Sequence, residues 1–245
     1  MTATKTVPLK RILAVCDLSV ASTNAAWRAG LLARDHGAWL RLLHVGRTRS
    51  SVAHGKAALD ALAWELQERL KIAVLPQSVR GSFRREVAAA AREADLLVLR
   101  SAQAHPLRDW LRGSHPERVV QACRRPALVV RRPATVGYDR VLASVDEGDD
   151  APGTMAVATA LARAPAPSML FAPTADLLLA RERSLLADLV VIGRPPRDAP
   201  MGWAPRTLSR LVLAHALADV LVLPALAVQP LPSAPRVDID TTVAD

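Results

Sequence analysis

Residues 94–130 read ADLLVLRSAQAHPLRDWLRGSHPERVVQACRRPALVV. Asp95 precedes an apolar run, Leu96 to Leu99, with the length and composition of a buried strand. A loop follows, a helix-like segment opens near Gly113-Ser114, and a second apolar run, Ala127 to Val130, ends the stretch. The same succession recurs over residues 187–223, ADLVVIGRPPRDAPMGWAPRTLSRLVLAHALADVLVL, without a gap. The offset is 93 residues over 37 positions, with eight identities that include Asp95/Asp188 and Trp110/Trp203. The chain is therefore built from two related halves.

Residues 11–17, RILAVCD, align in the same way with 140–146, RVLASVD, at an offset of 129. The difference between the two offsets means that the second half lacks 36 residues, about one helix and one strand. With 245 residues the chain can bury one large core or two modest ones, and the repeat favours two. It is 51% hydrophobic but only 3% aromatic, as expected of thin helices against a Val- and Leu-rich parallel sheet.

No apolar run is long enough to span a bilayer, and Met1 to Val7 lack the apolar core of a signal peptide. Cys16 and Cys123 lie in an apolar strand and a helix, which reads as buried thiols in a reducing compartment. A cytoplasmic location is expected. The net charge of +9 is uneven: residues 1–134 carry 23 basic and 10 acidic side chains, residues 135–245 carry 9 and 13. No aromatic-and-Arg recognition pattern accompanies the basic half, so its charge reads as solubility and half-to-half attraction. A weak anion or nucleic-acid binder through that half is the alternative, without sequence-specific binding.

Taken in order, residues 11–17 form a strand, and Asp17-Leu18-Ser19 can cap the helix over about 21–36, which stops at Gly37. A strand over 39–45, an amphipathic helix with Leu59, Leu62, Leu66 and Leu70 on one face, and a strand over 72–79 follow. Pro76 cannot donate to a ladder, which places that third strand at an edge. A helix over 83–94 leads into the repeated stretch. Residues 131–138 read as a linker with Pro133 and Gly137. The second half reads strand 140–146, helix 153–164, strand 169–171, helix 175–187, strand 189–193, helix 205–217 and strand 220–223. The alternation means parallel strands with right-handed helical crossovers. Residues 229–245, rich in Pro and Asp, read as a disordered tail. The expected units are 1–134 and a trimmed 135–228.

The order of Asp17-x-Ser19, Leu43-His44-Val45, Gly81, the Ala94–Val98 strand, Gly113-Ser114 and Pro126–Val130 resembles the universal stress protein family in its tandem, two-domain form. The resemblance implies an α/β fold, like that of the adenine nucleotide alpha hydrolases. It consists of two doubly wound parallel-sheet domains of strand order 3-2-1-4-5, the second lacking one helix and one strand. In such proteins the fifth strands of two domains commonly pair, which makes 127–131 and 220–223 the expected junction of an internal pseudo-dimer. An unknown protein or small-molecule partner is implied, and a homodimer is left open.

ATP-binding members carry Gly-x-x-Gly, nine residues, then Gly-Ser or Gly-Thr, because glycines let backbone amides close on phosphates. Here the first two glycines fall on Arg100 and Gln103, and only Gly113-Ser114 remains. In the second half the positions hold Gly193, Pro196 and Arg206-Thr207. The nucleotide-site residues carried over are Asp17, Ser19, Val45, Arg100, Gln103, Gly113 and Ser114. Asp17 reads equally as a helix cap or an adenine-side ligand, and Arg100, Arg108 and Arg112 crowd the phosphate side. His44 reads as a satisfied core histidine, and the acidic run 146–150 as a solvated loop.

With the loop degenerate, no cofactor is expected, ATP or AMP being the alternative. No zinc-ligand spacing, nucleophile elbow or complete phosphate loop is present, so no enzyme is expected. The expected protein is a non-enzymatic tandem stress protein that binds a partner or small ligand, with ATP binding lost or weak. A nucleotide-binding regulator using the first-half loop is the first alternative.

Overall fold

A computed structural model describes residues 9–101, 125–145, 151–163, 166–171, 174–193 and 204–224. Among these, β1 (Arg11–Val15), α1 (Val20–His36), β2 (Trp39–Gly46), α2 (Arg49–Leu70), β3 (Val74–Arg80), α3 (Phe83–Ala91), β4 (Leu96–Arg100) and β5 (Ala127–Val130) form the first half. The second comprises β6 (Val141–Val145), α4 (Ala151–Leu161), β7 (Ser168–Phe171), α5 (Ala175–Leu185), β8 (Leu189–Ile192), α6 (Ala204–His215) and β9 (Asp219–Val222).

The strands form where apolar residues run without a break, because β4, β5, β6, β8 and β9 are covered on both faces. The helices are bounded by local chemistry. Ser19 caps α1 by accepting from the Ser22 N–H, and Gly37 ends it at φ 62°, in the left-handed region. Thr48 and Ser51 close a reciprocal capping box at the start of α2. Helix α3 stops at Ala91, three residues before its expected end, because Arg92 to Ala94 close tighter turns before the strand. Strand β3 begins at Val74, two residues later than expected.

Among the described residues nine strands form one sheet, in the order β3-β2-β1-β4-β5-β9-β8-β6-β7. Every pairing is parallel except β5 with β9, where Ala127, Leu128 and Val129 face Val222, Leu221 and Val220. The first half thus has the strand order 3-2-1-4-5, with the Pro76-containing strand at the outer edge. Among the described residues the second half has no counterparts of α2 and β3, and β7 stands at the other edge.

One expectation is corrected. The two halves do not bury a modest core each. Buried apolar side chains divide by sheet face, and each layer runs through both halves. One layer joins α1, α2 and α4 with Ile12, Ala14, Leu128, Ala143 and Leu221. The other joins α3, α5 and α6 with Leu13, Leu97, Ala127, Val190 and Val220. Continuous strand pairing across β5 and β9 leaves no surface at which the layers could stop.

The repeated aspartates have a repeated role. Asp95 accepts from the N–H groups of Lys10 and Arg11, at 3.0 and 2.9 Å, which ties β4 to the start of β1. Asp188 does the same for Asp139 and Arg140, at 2.9 and 3.0 Å, before β6.

The predicted linker is clamped rather than loose. Asp219, fully buried at the start of β9, accepts from the N–H groups of Arg131 and Arg132 and from the Tyr138 hydroxyl. Arg28 of α1 lies 3.2 Å from the same carboxylate and stacks 4.4 Å from the Tyr138 ring centre. It also donates to the carbonyls of Val136 and Pro133, while Asn24 bonds Arg132 and Ala134. Burial first, and then the Asp219 charge, push the Tyr138 hydroxyl well above its ordinary pKa. Residues 229–245 lie outside the described residues.

Candidate functional site

In an open parallel sheet the natural binding crevice lies beyond the carboxyl ends of two neighbouring strands whose connections leave in opposite directions. In the first half these are β1 and β4. Strand β1 ends at Val15 and β4 at Arg100, so Asp17 and Arg100 meet at that edge.

Asp17 is fully engaged there. Its Oδ1 accepts from the Ser19 Oγ at 2.5 Å and from the Ser19 N–H at 3.1 Å. Its Oδ2 receives the Arg100 Nε at 2.6 Å, and the pair is largely shielded, with side chains 15% and 20% exposed. Arg100 also donates to the Ser101 carbonyl at 3.2 Å. Burial pushes the Asp17 carboxyl up, but the hydrogen bonds from Ser19, the Arg100 charge and Ser22 outweigh it and hold the group below its ordinary value. The carboxylate stays ionised and bonded.

Ser19 is occupied too, since its Oγ caps α1 while donating to Asp17. Between Asp17 and Ser19, Leu18 takes φ 66°, a conformation a leucine rarely adopts. The turn that presents Asp17 to Arg100 therefore carries backbone strain.

Beside this edge a cavity of about 240 Å³ opens between α1 and α2, lined by Cys16, Leu18, Ser22, Leu59, Leu62 and Glu65. Burial, then the neighbouring Asp17 charge, push the Cys16 thiol up to about 12. A protonated thiol is neither nucleophile nor metal ligand at neutral pH. Among the described residues no three His, Cys, Asp or Glu side chains cluster as a metal site. No described helix is long and apolar enough to cross a membrane.

The reading of His44 as a satisfied core histidine is half right. Its Nδ1 lies 3.0 Å from the Cys16 carbonyl, whereas its buried Nε2 has no partner among the described residues. The ring fits because Gly55 of α2 faces it, and a Cβ there would stand 2.1 Å from His44 Cδ2. Val45 lies on β2, with its side chain packed in the α3 layer. Gln103, Gly113, Ser114, Arg108, Arg112, Cys123 and the acidic run 146–150 lie outside the described residues. The structure thus joins Asp17, Ser19 and Arg100 of the expected site.

Sequence reasoning weighed Asp17 and Arg100 separately and missed their pairing. The signal that could have joined them was the strand order, which sets the ends of β1 and β4 side by side.

A family model described as the universal stress protein family matches residues 8–131. The chain belongs to this family. Solved structures agree on the fold. A functionally unknown protein from Pseudomonas aeruginosa PAO1 superposes with a TM-score of 0.66 at 19% identity, covering 89% of this chain and 93% of its own. A universal stress protein from Archaeoglobus fulgidus DSM 4304 reaches 0.63 at 16% identity, covering 88% and 96%. At these identities the likeness speaks for the fold alone. No curated protein matches the chain.

Proposed function

We propose that this universal stress protein is a non-enzymatic, cytoplasmic tandem member that acts in stress adaptation by binding a partner or small ligand. Its ATP site is lost or weak. Units 1–134 and 135–228 are the units of duplication.

The observation that carries the loss of ATP binding is the Asp17–Arg100 pair. Arg100 stands where ATP-binding members place the first loop glycine, and it holds the acidic residue that would otherwise face the nucleotide. A ligand reaching for Asp17 must first break a short, shielded, charge-assisted bond. Arg100 also places side-chain volume where backbone amides would approach phosphates. The residues present do not fit a glycine-loop ATP site.

Calorimetric titration with ATP and magnesium tests this. The natural chain should show no binding tighter than about 100 μM, whereas Arg100→Gly should tighten it by about tenfold or more, since it frees Asp17 and returns the glycine. A sub-micromolar dissociation constant in the natural chain, abolished by Asp17→Ala or Ser114→Ala, would instead make the protein a nucleotide-binding regulator.

A further inference from the structure

On one face of the first half, α1 and α2 do not close fully against each other. Near the start of α1 the side chains on this side, Ser22 and Thr23, are short. Opposite them α2 presents Ala58 and Ala61, which cannot reach across. The gap is the cavity of about 240 Å³ beside the Asp17 turn. Its floor is apolar, formed by the protonated Cys16 thiol and by Leu59, both buried. The exposed Ala61 and the part-buried Glu65 mark its mouth.

Two features set this gap apart from loose packing. Helix interfaces normally interdigitate at near-crystalline density, and a void left between them costs stability. Leu18, on the cavity wall, is also the residue held at φ 66°. The strained turn after β1 thus presents an apolar side chain to the cavity. Local costs of this kind are kept where a site needs them. None of Asp17, Ser19 and Arg100 lines the cavity, so it is distinct from the crevice at the ends of β1 and β4.

We infer that this cavity binds a small, uncharged aromatic molecule that carries one N–H donor. An apolar cavity of about 150 Å³ holds a single benzene ring, so one of about 240 Å³ takes a bicyclic molecule. Leu18, Leu59 and Leu62 offer its ring apolar walls. At the mouth one oxygen of Glu65 meets Arg69 at 3.3 Å. Arg69 leans over the Trp27 ring, 5.8 Å from its centre, and the second Glu65 oxygen has no described partner. The Thr23 hydroxyl likewise bonds no described residue. Both groups can accept a hydrogen bond, which an N–H donor supplies. Among the described residues no basic side chain lines the cavity, so an anionic ligand finds no counter-charge there. Such a molecule is the small ligand of the function proposed above, and its site rests on that reading.

Titration of the full chain with indole, followed by methyl NMR, tests the assignment. Saturable shifts should appear at Leu18, Leu59 and Leu62, with a dissociation constant below about 1 mM. Ala58→Leu fills the interior and Ala61→Leu the mouth, and each should weaken binding by about tenfold or more. Thermal melting confirms that these variants are folded, and Ala61 is exposed, so its replacement leaves the core intact. Thr23→Val, which removes the hydroxyl and keeps the shape, should weaken binding by about fivefold. Indole-3-carboxylate should bind at least about tenfold more weakly than indole. No saturable shift in the natural chain up to about 5 mM indole overturns the inference. So do shifts that survive Ala61→Leu unchanged, or equal affinity for indole-3-carboxylate. ATP with magnesium is titrated alongside, so that the loss of the nucleotide site and the aromatic site fail separately.

Discussion

A single side chain, Arg100, decides what the crevice at the carboxyl edge offers. A glycine at that position would leave the Asp17 carboxylate without its ion-pair partner; arginine closes on it at 2.6 Å. The pair also makes the fold sensitive to acid in a definite direction. The folded Asp17 pKa lies below its ordinary value of 3.8. The ionised form is therefore favoured by folding, so its contribution is full above the unfolded pKa and fades as pH falls through the lowered folded value. Asp17→Asn should thus be less stable than the natural chain by a constant margin near neutrality. That margin should shrink below about pH 4, where the natural carboxyl takes up its proton. Denaturant melts of both chains between pH 2 and 7 check this. A margin that stays constant through the acid range would show that the ion pair contributes no net stability.

Among the elements, the segment between the halves behaves least like its composition. Pro133 and Gly137 suggest a loose connection, yet residues 131–138 are anchored to α1 and to β9 through Asp219. The carboxylate balances Arg28 in a place with almost no solvent, their side chains being 0% and 5% exposed. Removing one partner of such a pair leaves a buried charge uncompensated, so Asp219→Ala should lower stability by about 3–5 kcal/mol. Tyr138→Phe removes one hydrogen bond and leaves the others, which should cost about 1 kcal/mol. Urea unfolding of the two variants separates the cases. Equal, small losses would mean that the cluster does not hold the junction.

For the whole molecule, the sharing of both layers across the β5–β9 junction has a thermodynamic consequence. Leu128 and Leu221 pack in one layer, Ala127 and Val220 in the other, so neither half can unfold without exposing apolar surface of its neighbour. Scanning calorimetry should show one cooperative transition, with van't Hoff and calorimetric enthalpies equal. Two resolved transitions would mean that the halves fold as independent units despite the continuous sheet. The repeat is then a record of duplication, whereas the folding unit is the pair.

The strand order was implied by the family resemblance, whereas the number of strands, the outer position of the Pro76 strand and the trimming of the second half were all legible in the sequence. These rest on signals carried by neighbouring residues: unbroken apolar runs, a proline without a donor, capping serines, and a constant offset between repeats. Residue types within a few positions of one another suffice to write them. That the last strands of the two halves pair was implied by the family resemblance, and the antiparallel direction of the β5–β9 junction came only from the structure, since a strand's own residues do not say which way its neighbour runs. The candidate site was legible only as a set of positions. Whether Asp17 was a cap, a ligand or a partner could not be read locally, because Arg100 lies 83 residues away. The same holds for the Asp219 clamp, whose Tyr138 hydroxyl arrives from 81 residues upstream. Apolar burial tolerates many partners and so shows in pattern alone. A buried charge accepts only the few groups that satisfy it, and only the assembled sheet decides which of them arrive.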